Sequence, residues 1–290
     1  MRIAAVVVTR DRLTLLQRCV EALRQQTRRL DEILVVDNAS SDGTREWVDT
    51  QDVTRLFQEN VGGGGGQAAG IGEAVRRGHD WVWCMDDDGY PAPDALQRLV
   101  EIAQDAQADW ANCLVVRTDD PCTLLHYWAP GGTQLTRVDQ LSRLGVWVPG
   151  GHPFNGTLLH RSLVARIGVP SATLFIKGDE REYKRRAEAH GARIVTATRS
   201  LFFHPPSAGT ILDVPLGASW RFYYAVRNED ARVEPDGRVR FSASGAIRVG
   251  RALIRLLVLD CARNCLKGLV VLHGVWAACV NDQRRRYRRD

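Results

Sequence analysis

The first third of the chain alternates between short apolar runs and stretches with helical spacing. Ile3-Ala4-Ala5-Val6-Val7-Val8 is the first run and Ile33-Leu34-Val35-Val36 the second. Residues 53–58 make a third, and Trp81-Val82-Trp83-Cys84-Met85 a fourth. Unbroken runs of this length, rich in β-branched and aromatic side chains, predict strands buried on both faces. Leu13, Leu16, Val20 and Leu23 form a helical stripe between the first two runs, and Thr44 opens a second helix. Residues 67–77 read as a third helix in spite of Gly70 and Gly72. Strand and helix in this succession imply an α/β fold with a mostly parallel, doubly wound sheet. A further helix over 94–104 turns Leu96, Leu99, Val100 and Ala103 inward, and 110–116 is another strand.

Beyond that the pattern loosens. Residues 118–151 hold Pro121, Pro130, Gly131 and Gly132, and read as a loop-rich insertion with short strands. A turn cluster at 150–156 precedes a strand at 157–160 and a helix at 161–167. Residues 193–197 form a strand, and Leu201-Phe202-Phe203-His204-Pro205-Pro206 follows it. The last section starts at Trp220. Over 245–259, Arg248, Arg251 and Arg255 share one helical face, while Ile247, Leu253, Ile254 and Leu257 do not. Residues 266–280 are strongly apolar but broken by Lys267 and His273, too short for the ~20 apolar residues that span a bilayer.

Composition narrows the class. A chain of 290 residues allows one large α/β domain with an appendage, or two small domains. The net charge of +5 is uneven, since from Ala246 onward basic residues outnumber acidic ones by roughly three to one. Such a tail suits an interfacial amphipathic helix with Arg284-Arg285-Arg286 and Arg288-Arg289 beside anionic lipid. It equally suits a helix packed on the catalytic domain with a solvated basic end. No nucleic-acid-binding motif accompanies it. The amino terminus reads as a strand, not a signal peptide. The seven cysteines form no Cys-x-x-Cys and read as reduced core thiols of a cytoplasmic protein, with Cys261 and Cys265 able to share a helix face.

Chemistry concentrates where apolar runs end. The fourth run stops on Asp86-Asp87-Asp88, followed by Gly89, Tyr90, Pro91 and Pro93, which forbid a simple continuation. Ligands of open α/β sheets bind at the carboxyl ends of strands. In an extended segment Asp86 and Asp88 point one way and Asp87 the other. Two convergent carboxylates suit a hard divalent cation, the bland alternative being an acidic solvated turn. Asp37 ends the second run, in a loop of Asn, Ser, Asp and Gly. Asn60-Val61 leads into five glycines, 62–66. Three readings of this run compete. One is a flexible linker. Another is a loose dinucleotide fingerprint on Gly63, Gly65 and Ala68 with Asp86 beyond. The third, which the flanking strand and helix favour, is a loop whose bare backbone lies against a nucleotide or sugar beside a helix N-terminus. Asp179 and Glu180 stand at a helix start, where carboxylates also serve as caps. His204, pinned by two prolines at a strand end, is a metal-ligand candidate.

Four segments together resemble the inverting glycosyltransferases of family 2, which have the GT-A fold. They are Val6-Val7-Val8-Thr9-Arg10, Val36-Asp37-Asn38-Ala39-Ser40-Ser41-Asp42-Gly43-Thr44, Asn60-Val61-Gly62-Gly63 and Met85-Asp86-Asp87-Asp88. Within that family the glycine-rich Asn60 segment looks most like galactofuranosyltransferases, with rhamnosyltransferases next. Phe175-Ile176-Lys177-Gly178-Asp179-Glu180-Arg181-Glu182-Tyr183 is similar to their segment carrying the catalytic base, except that Glu180 stands where the relatives usually have Asp. Asp179 therefore stays a candidate beside Glu180. His204-Pro205 matches the histidine of their metal site, and Tyr223-Tyr224-Ala225-Val226-Arg227-Asn228 is also shared.

The resemblance implies a GT-A catalytic domain over 1–215, its nucleotide-sugar half 1–116 and its acceptor half 117–215, with a C-terminal helical, basic extension over 216–290. It implies a metal site of Asp86, Asp88 and His204 for Mn2+ or Mg2+. Nucleotide contacts fall to Thr9, Arg10, Asp37, Asn60, Gly62, Gly63 and Asp86, and a donor-sugar contact to Asp87. Glu180 or Asp179 would deprotonate the acceptor hydroxyl. The expected donor is UDP-galactofuranose, and the acceptor a glycan or polyprenyl-linked glycan. The expected location is the cytoplasm or the inner membrane face. A dTDP-rhamnose transferase, a nucleotide-sugar-binding protein without transfer activity and a nucleotidyltransferase remain as alternatives.

Overall fold

The computed structural model describes residues 1–125, 135–143, 145–151, 153–206, 215, 219–258 and 265–280. The chain divides into two compact units, Met1–Val169 with Ala187–Pro206, and Pro170–Arg186 with Ser207–Asp290. Residues 170–186, assigned by sequence to the catalytic domain, thus group with the C-terminal section.

The first unit is built on a nine-stranded mixed sheet. Its strands are β1 (Ile3–Thr9), β2 (Glu32–Asn38), β3 (Thr54–Gln58), β4 (Trp81–Asp86), β5 (Tyr90–Pro91), β6 (Trp110–Arg117), β7 (Trp147–Pro149), β8 (Asn155–His160) and β9 (Ile194–His204). The order is β3-β2-β1-β4-β8-β6-β9-β5, with β7 paired to β9. β1 to β4 are mutually parallel, as their continuous apolar runs predict. β8 then runs antiparallel between β4 and β6, and β9 lies parallel to β6. The runs at 193–197 and 201–203 are one strand, with a register shift opposite Cys113 and Leu114. Helices α1 (Leu13–Arg24), α2 (Thr44–Asp49), α3 (Gly62–Arg76), α4 (Ala95–Asp105), α5 (Val138–Ser142) and α6 (Arg161–Ile167) complete the unit. Leu16, Val20 and Leu23 of α1 and Leu96 and Leu99 of α4 share one core with Trp83 and Phe202.

The glycine run is not a loop. Gly62 to Gly66 form the opening turns of α3, which starts at Gly62 with φ +79°. The reason is the closeness of helix to sheet. A Cβ on Gly66 would lie 2.4 Å from Val8 Cγ1, and one on Gly70 2.2 Å from Val6 Cγ1. Glycine weakens a helix by about 1 kcal/mol per residue, so α3 owes its form to this packing rather than to propensity. Gly66→Ala is expected to cost about 1–3 kcal/mol of stability through overpacking. Gly63, whose added Cβ meets nothing within 4 Å, should accept alanine without loss. Denaturant midpoints of the two variants check this contrast.

The opposite end of the sheet carries a stabilising carboxylate. Glu32, at the start of β2, contacts Arg77 at 2.6 Å, His79 Nε2 at 2.6 Å and the Thr54 hydroxyl. Burial alone would raise this carboxyl, but the hydrogen bonds from Arg77, Thr54 and His79 outweigh it and hold it down at about 2. A folded-state value below the unfolded one gives stability that is present above pH ~4.5 and lost as pH falls toward 2. Glu32→Gln should therefore flatten acid unfolding across that window and leave its remaining slope unchanged. Thermal unfolding between pH 2 and 6 is the measurement.

Burial pushes the thiols of Cys19, Cys84 and Cys113 up, the last to about 12, so these are inert core residues as expected. Cys122 and Cys279 are exposed, against the expectation that all seven are core thiols. Cys261 and the side chain of Cys265 lie outside the described residues.

In the second unit, a short 3-10 turn at Ala172–Leu174 precedes α7 (Asp179–Ala189), whose last residues belong to the first unit. Then come α8 (Trp220–Arg227), the hairpin β10 (Arg232–Val233) and β11 (Val239–Arg240), α9 (Ala243–Val258) and α10 (Cys265–Cys279). α8, α9 and α10 pack on one another around Leu174, Val226, Phe241 and Val271. Arg248 and Arg251 lie exposed on α9 as the pattern predicts. The Arg255 side chain and Arg284 to Arg289 fall outside the described residues. Among the described residues no helix is long and apolar enough to cross a membrane.

Candidate active site

Register alone assembles one rim of the first unit. Thr9 pairs with Asp37 across β1 and β2, and Val8 pairs with Asp86 across β1 and β4. Three carboxyl ends therefore stop at the same level, the place where parallel α/β sheets take ligands. Polar bonds stitch the loops that leave them. Asp37 Oδ1 accepts from Ser40 N–H at 2.9 Å, Asp11 Oδ1 from Ser41 N–H at 2.7 Å, and Asp42 Oδ2 from Leu13 N–H at 3.0 Å. Two non-glycine residues here hold the left-handed backbone, Asp11 at φ +51° and Ala39 at +61°. Such strain persists only where surrounding contacts enforce it. Asn60 Oδ1 accepts from Gly62 N–H at 3.1 Å, and Asn38 Nδ2 donates to Gly62 O at 3.2 Å. Arg10 is exposed beside Asp11 at 3.4 Å.

The three aspartates part ways. Asp86 Oδ1 accepts from Gln67 Nε2 at 3.1 Å. Asp87 is buried, with Oδ2 accepting from the Thr9 hydroxyl at 2.7 Å and Oδ1 from Arg12 Nη1 at 2.9 Å. The same Arg12 nitrogen donates to Asp88 Oδ2 at 2.9 Å. Burial raises Asp87, partly offset by Arg12 and Thr9. Burial also works against Asp88, but His204 and Arg12 outweigh it and lower that group.

Chain topology delivers His204 to the same place. Tyr90 of β5 pairs with Phe203 of β9, one residue before the histidine. Gly89 makes this approach possible, because a Cβ there would sit 2.2 Å from the Phe202 ring and 3.0 Å from the Phe203 carbonyl oxygen. His204 Nε2 lies 3.2 Å from Asp88 Oδ1, and its Nδ1 lies 2.6 Å from the Pro205 carbonyl oxygen. A ring whose Nδ1–H donates to a carbonyl presents Nε2 outward, as metal-binding histidines do. Burial disfavours the imidazolium, but Asp88 more than compensates and the His204 pKa is raised. Asp88 Oδ1 is buried and accepts no hydrogen bond of good geometry.

These donors fit a divalent ion. A buried carboxylate oxygen without a hydrogen bond faces an imidazole nitrogen, and three aspartates against one guanidinium leave two negative charges when His204 is neutral. The structure brings Asp88 and His204 together. Asp86 accepts from Gln67, and no group of three or more such ligands is gathered among the described residues.

The acids of the second unit sit on a shaped loop. Asn228 Nδ2 donates to the carbonyls of Leu174 at 2.7 Å, Ile176 at 3.1 Å and Lys177 at 2.7 Å. Arg227, buried against Tyr223, Tyr224 and Phe241, donates to Thr173 O at 2.8 Å. These carbonyls are turned inward by positive φ at Phe175, Lys177 and Gly178. The loop releases the chain into α7 with Asp179 buried and Glu180 half-buried, the Glu180 Oε2 accepting from Gly178 N–H at 3.1 Å.

The family model described as glycosyl transferase family 2 matches residues 4–154, more than half of the chain. The chain belongs to glycosyl transferase family 2. A galactofuranosyltransferase GlfT1 of Mycolicibacterium smegmatis is 35% identical over 214 residues, covering 70% of each chain. The protein of the same name from Mycobacterium tuberculosis is 36% identical over 211 residues, covering 69% of each. Among solved structures, GalNAc-T7 with UDP, GalNAc and Mn2+ matches 81% of this chain and 48% of its own, at TM-score 0.60 and 16% identity. The mannosyltransferase PcManGT from Pyrobaculum calidifontis, in complex with GDP-Man and Mn2+, matches 96% and 75% at TM-score 0.53 and 19% identity. These structural likenesses establish the GT-A fold, carried here with additional C-terminal helices.

In this family 2 glycosyltransferase, the sequence pattern located the rim but missed the residues that hold it. Arg12 was assigned no role, yet it joins Asp87 to Asp88. Gln67 was read as the start of a helix, and it fixes Asp86. Arg12 follows β1 at the level of the other strand ends, which is the signal that could have singled it out. Gln67 carried none.

Proposed function

We propose that this enzyme transfers a sugar from a nucleoside diphosphate donor to an acceptor hydroxyl with inversion, and that the donor is UDP-galactofuranose. The apposition of Asp88 and His204 at the carboxyl ends of the strands is the observation that carries the chemistry. The named relatives support the choice of sugar.

Thr9, Arg10, Asp37, Asn60 and the backbone of Gly62 and Gly63 line the rim and suit the nucleotide. Asp86 joins them, oriented by Gln67. Asp87, expected to touch the donor sugar, has both oxygens engaged by Thr9 and Arg12. We assign it instead to positioning those two side chains. A divalent ion, Mn2+ or Mg2+, held by Asp88 and His204 with Asp86 as third candidate, would neutralise the charge growing on the leaving diphosphate. Arg12 supplies a fixed positive charge to the same carboxylates. Glu180, or Asp179 beside it, takes the proton of the acceptor hydroxyl. The hydroxyl oxygen bonds to the anomeric carbon as the bond to the diphosphate breaks on the opposite face. UDP leaves with the electron pair, and a single displacement through an oxocarbenium-like state inverts the centre.

A donor screen with a panel of glycan and polyprenyl-linked acceptors tests the reading. UDP release should be fastest from UDP-galactofuranose, ahead of dTDP-rhamnose and the common UDP-hexoses. Preference for dTDP-rhamnose would move the protein to rhamnosyl transfer. Donor binding without any release would make it a binding protein.

A further inference from the structure

The hairpin of the second unit sets two arginines side by side. Glu234 N–H donates to the Arg238 carbonyl at 2.8 Å and Gly237 N–H to the Glu234 carbonyl at 2.8 Å, with Gly237 at φ +81°. This turn fixes the register of the strands it joins. Val233 lies opposite Val239, and Arg232 opposite Arg240. Val239 is buried and Val233 packs against the same core. Successive side chains of a strand point to opposite faces, so Arg232 and Arg240 stand together on the outer one. Like charges directly opposite destabilise a strand pair, and a two-stranded hairpin has little stability to lose. A negative group lodged between them turns the repulsion into attraction.

The surroundings suit such a group. Arg232 and Arg240 share a cavity of about 490 Å³ with Arg185, Asp230, Ser242 and Ser244, all of them in the second unit. Arg185 is anchored there, donating to Asp230 Oδ1 at 3.2 Å and to the Ala231 carbonyl at 2.9 Å. Asp230 is the acid of the lining, and its other oxygen accepts from Arg248 at 2.8 Å. Arg240 meets Glu234 at 3.2 Å through Nε, one of the five N–H groups of its guanidinium. Arg232 has no carboxylate partner among the described residues. Three guanidinium groups thus converge on a cavity whose one acid is already neutralised. The first turn of α9 adds to them, since Ser242 caps that helix through Gly245 N–H at 3.0 Å.

We infer that this cavity is a binding site for a phosphoryl group, a phosphate or diphosphate, either free in solution or carried on a lipid. The planar fork of arginine matches the oxygens of phosphate, and the volume is that of a small-molecule site. The site uses neither the donor sugar nor the metal.

Calorimetry of the full chain with inorganic pyrophosphate, in EDTA and at about 0.15 M salt, tests this. Pyrophosphate should bind, and Arg232→Gln with Arg240→Gln should weaken it by about tenfold or more. Saturating UDP should leave this binding in place. Hydrogen exchange should slow over residues 230–246 when pyrophosphate is added. Both arginines are exposed and face a like charge, so without ligand the thermal unfolding temperature of the variant should hold. The single variants Arg232→Gln and Arg240→Gln, each weakening binding, keep the test readable if the double variant does not fold. Geranyl diphosphate separates the two sources. Affinity about tenfold or more above that of pyrophosphate means that the phosphate arrives on a lipid, and affinity within that margin means that it arrives free. Failure of both probes to bind would overturn the inference, as would wild-type affinity in all three variants. So would displacement of pyrophosphate by UDP with no protection over residues 230–246.

Discussion

Asp88→Ala is expected to lower kcat/KM for sugar transfer by about a thousandfold or more, equivalent to ~4 kcal/mol of transition-state stabilisation. The size follows from what this carboxylate joins. One oxygen accepts from Arg12 at 2.9 Å and the other faces His204 at 3.2 Å. Its removal dissolves the pairing that joins His204 of β9 to the end of β4. Chelation should mimic the substitution, with Mn2+ restoring activity to the wild type and not to Asp88→Ala. His204→Ala should fall in the same direction. The cost to stability should stay within about 1–3 kcal/mol, because Arg12 keeps its bond to Asp87 and the core is not emptied. Full turnover in excess chelator would sink the metal role, whatever the variants do.

How much of this could be read beforehand depends on the range of the interaction. β1, β2 and β4 were legible because a parallel strand buried on both faces writes itself as an unbroken apolar run. Asp37 and Asp86 followed from the same logic, since the first polar residue after such a run marks the ligand edge. The glycine run was misjudged because five glycines suggest a flexible backbone, whereas here they answer to a steric demand from Val6, Val8 and Asn38. That demand comes from other elements and leaves no local trace. Arg12, Gln67 and Asn228 were missed for a similar reason. Each acts on a partner some 20 to 75 residues away, through hydrogen bonds that no periodicity announces. His204 was found from its aromatic strand and its prolines, but its partner followed only from the resemblance. The structure supplies the mechanical reason in Gly89, which lets β9 pass close enough.

Glu180→Gln is expected to lower kcat by about 10²- to 10⁴-fold while leaving donor affinity, measured by calorimetry, unchanged. Exposure favours Glu180 over its neighbour. Asp179 is 4% exposed at the first position of α7, where a carboxylate serves the helix dipole and is shut away from an incoming hydroxyl. Glu180 is half-buried, with Oε2 accepting from Gly178 N–H at 3.1 Å, and so stays within reach of an incoming hydroxyl. Its extra methylene, relative to the aspartate usual in the relatives it resembles, gives it reach. Asp179→Asn should therefore act mainly on stability, by roughly the 0.3–1 kcal/mol of a lost dipole partner, and modestly on kcat. The opposite pattern, an inert Glu180→Gln and a dead Asp179→Asn, would hand the proton to Asp179 without disturbing the rest of the mechanism. Unaltered transfer in the double variant Asp179→Ala with Glu180→Ala would remove the base from this helix altogether. A base can be absent only if the acceptor arrives already ionised or the protein binds its donor without transferring it, and the pH profile of UDP release separates those cases.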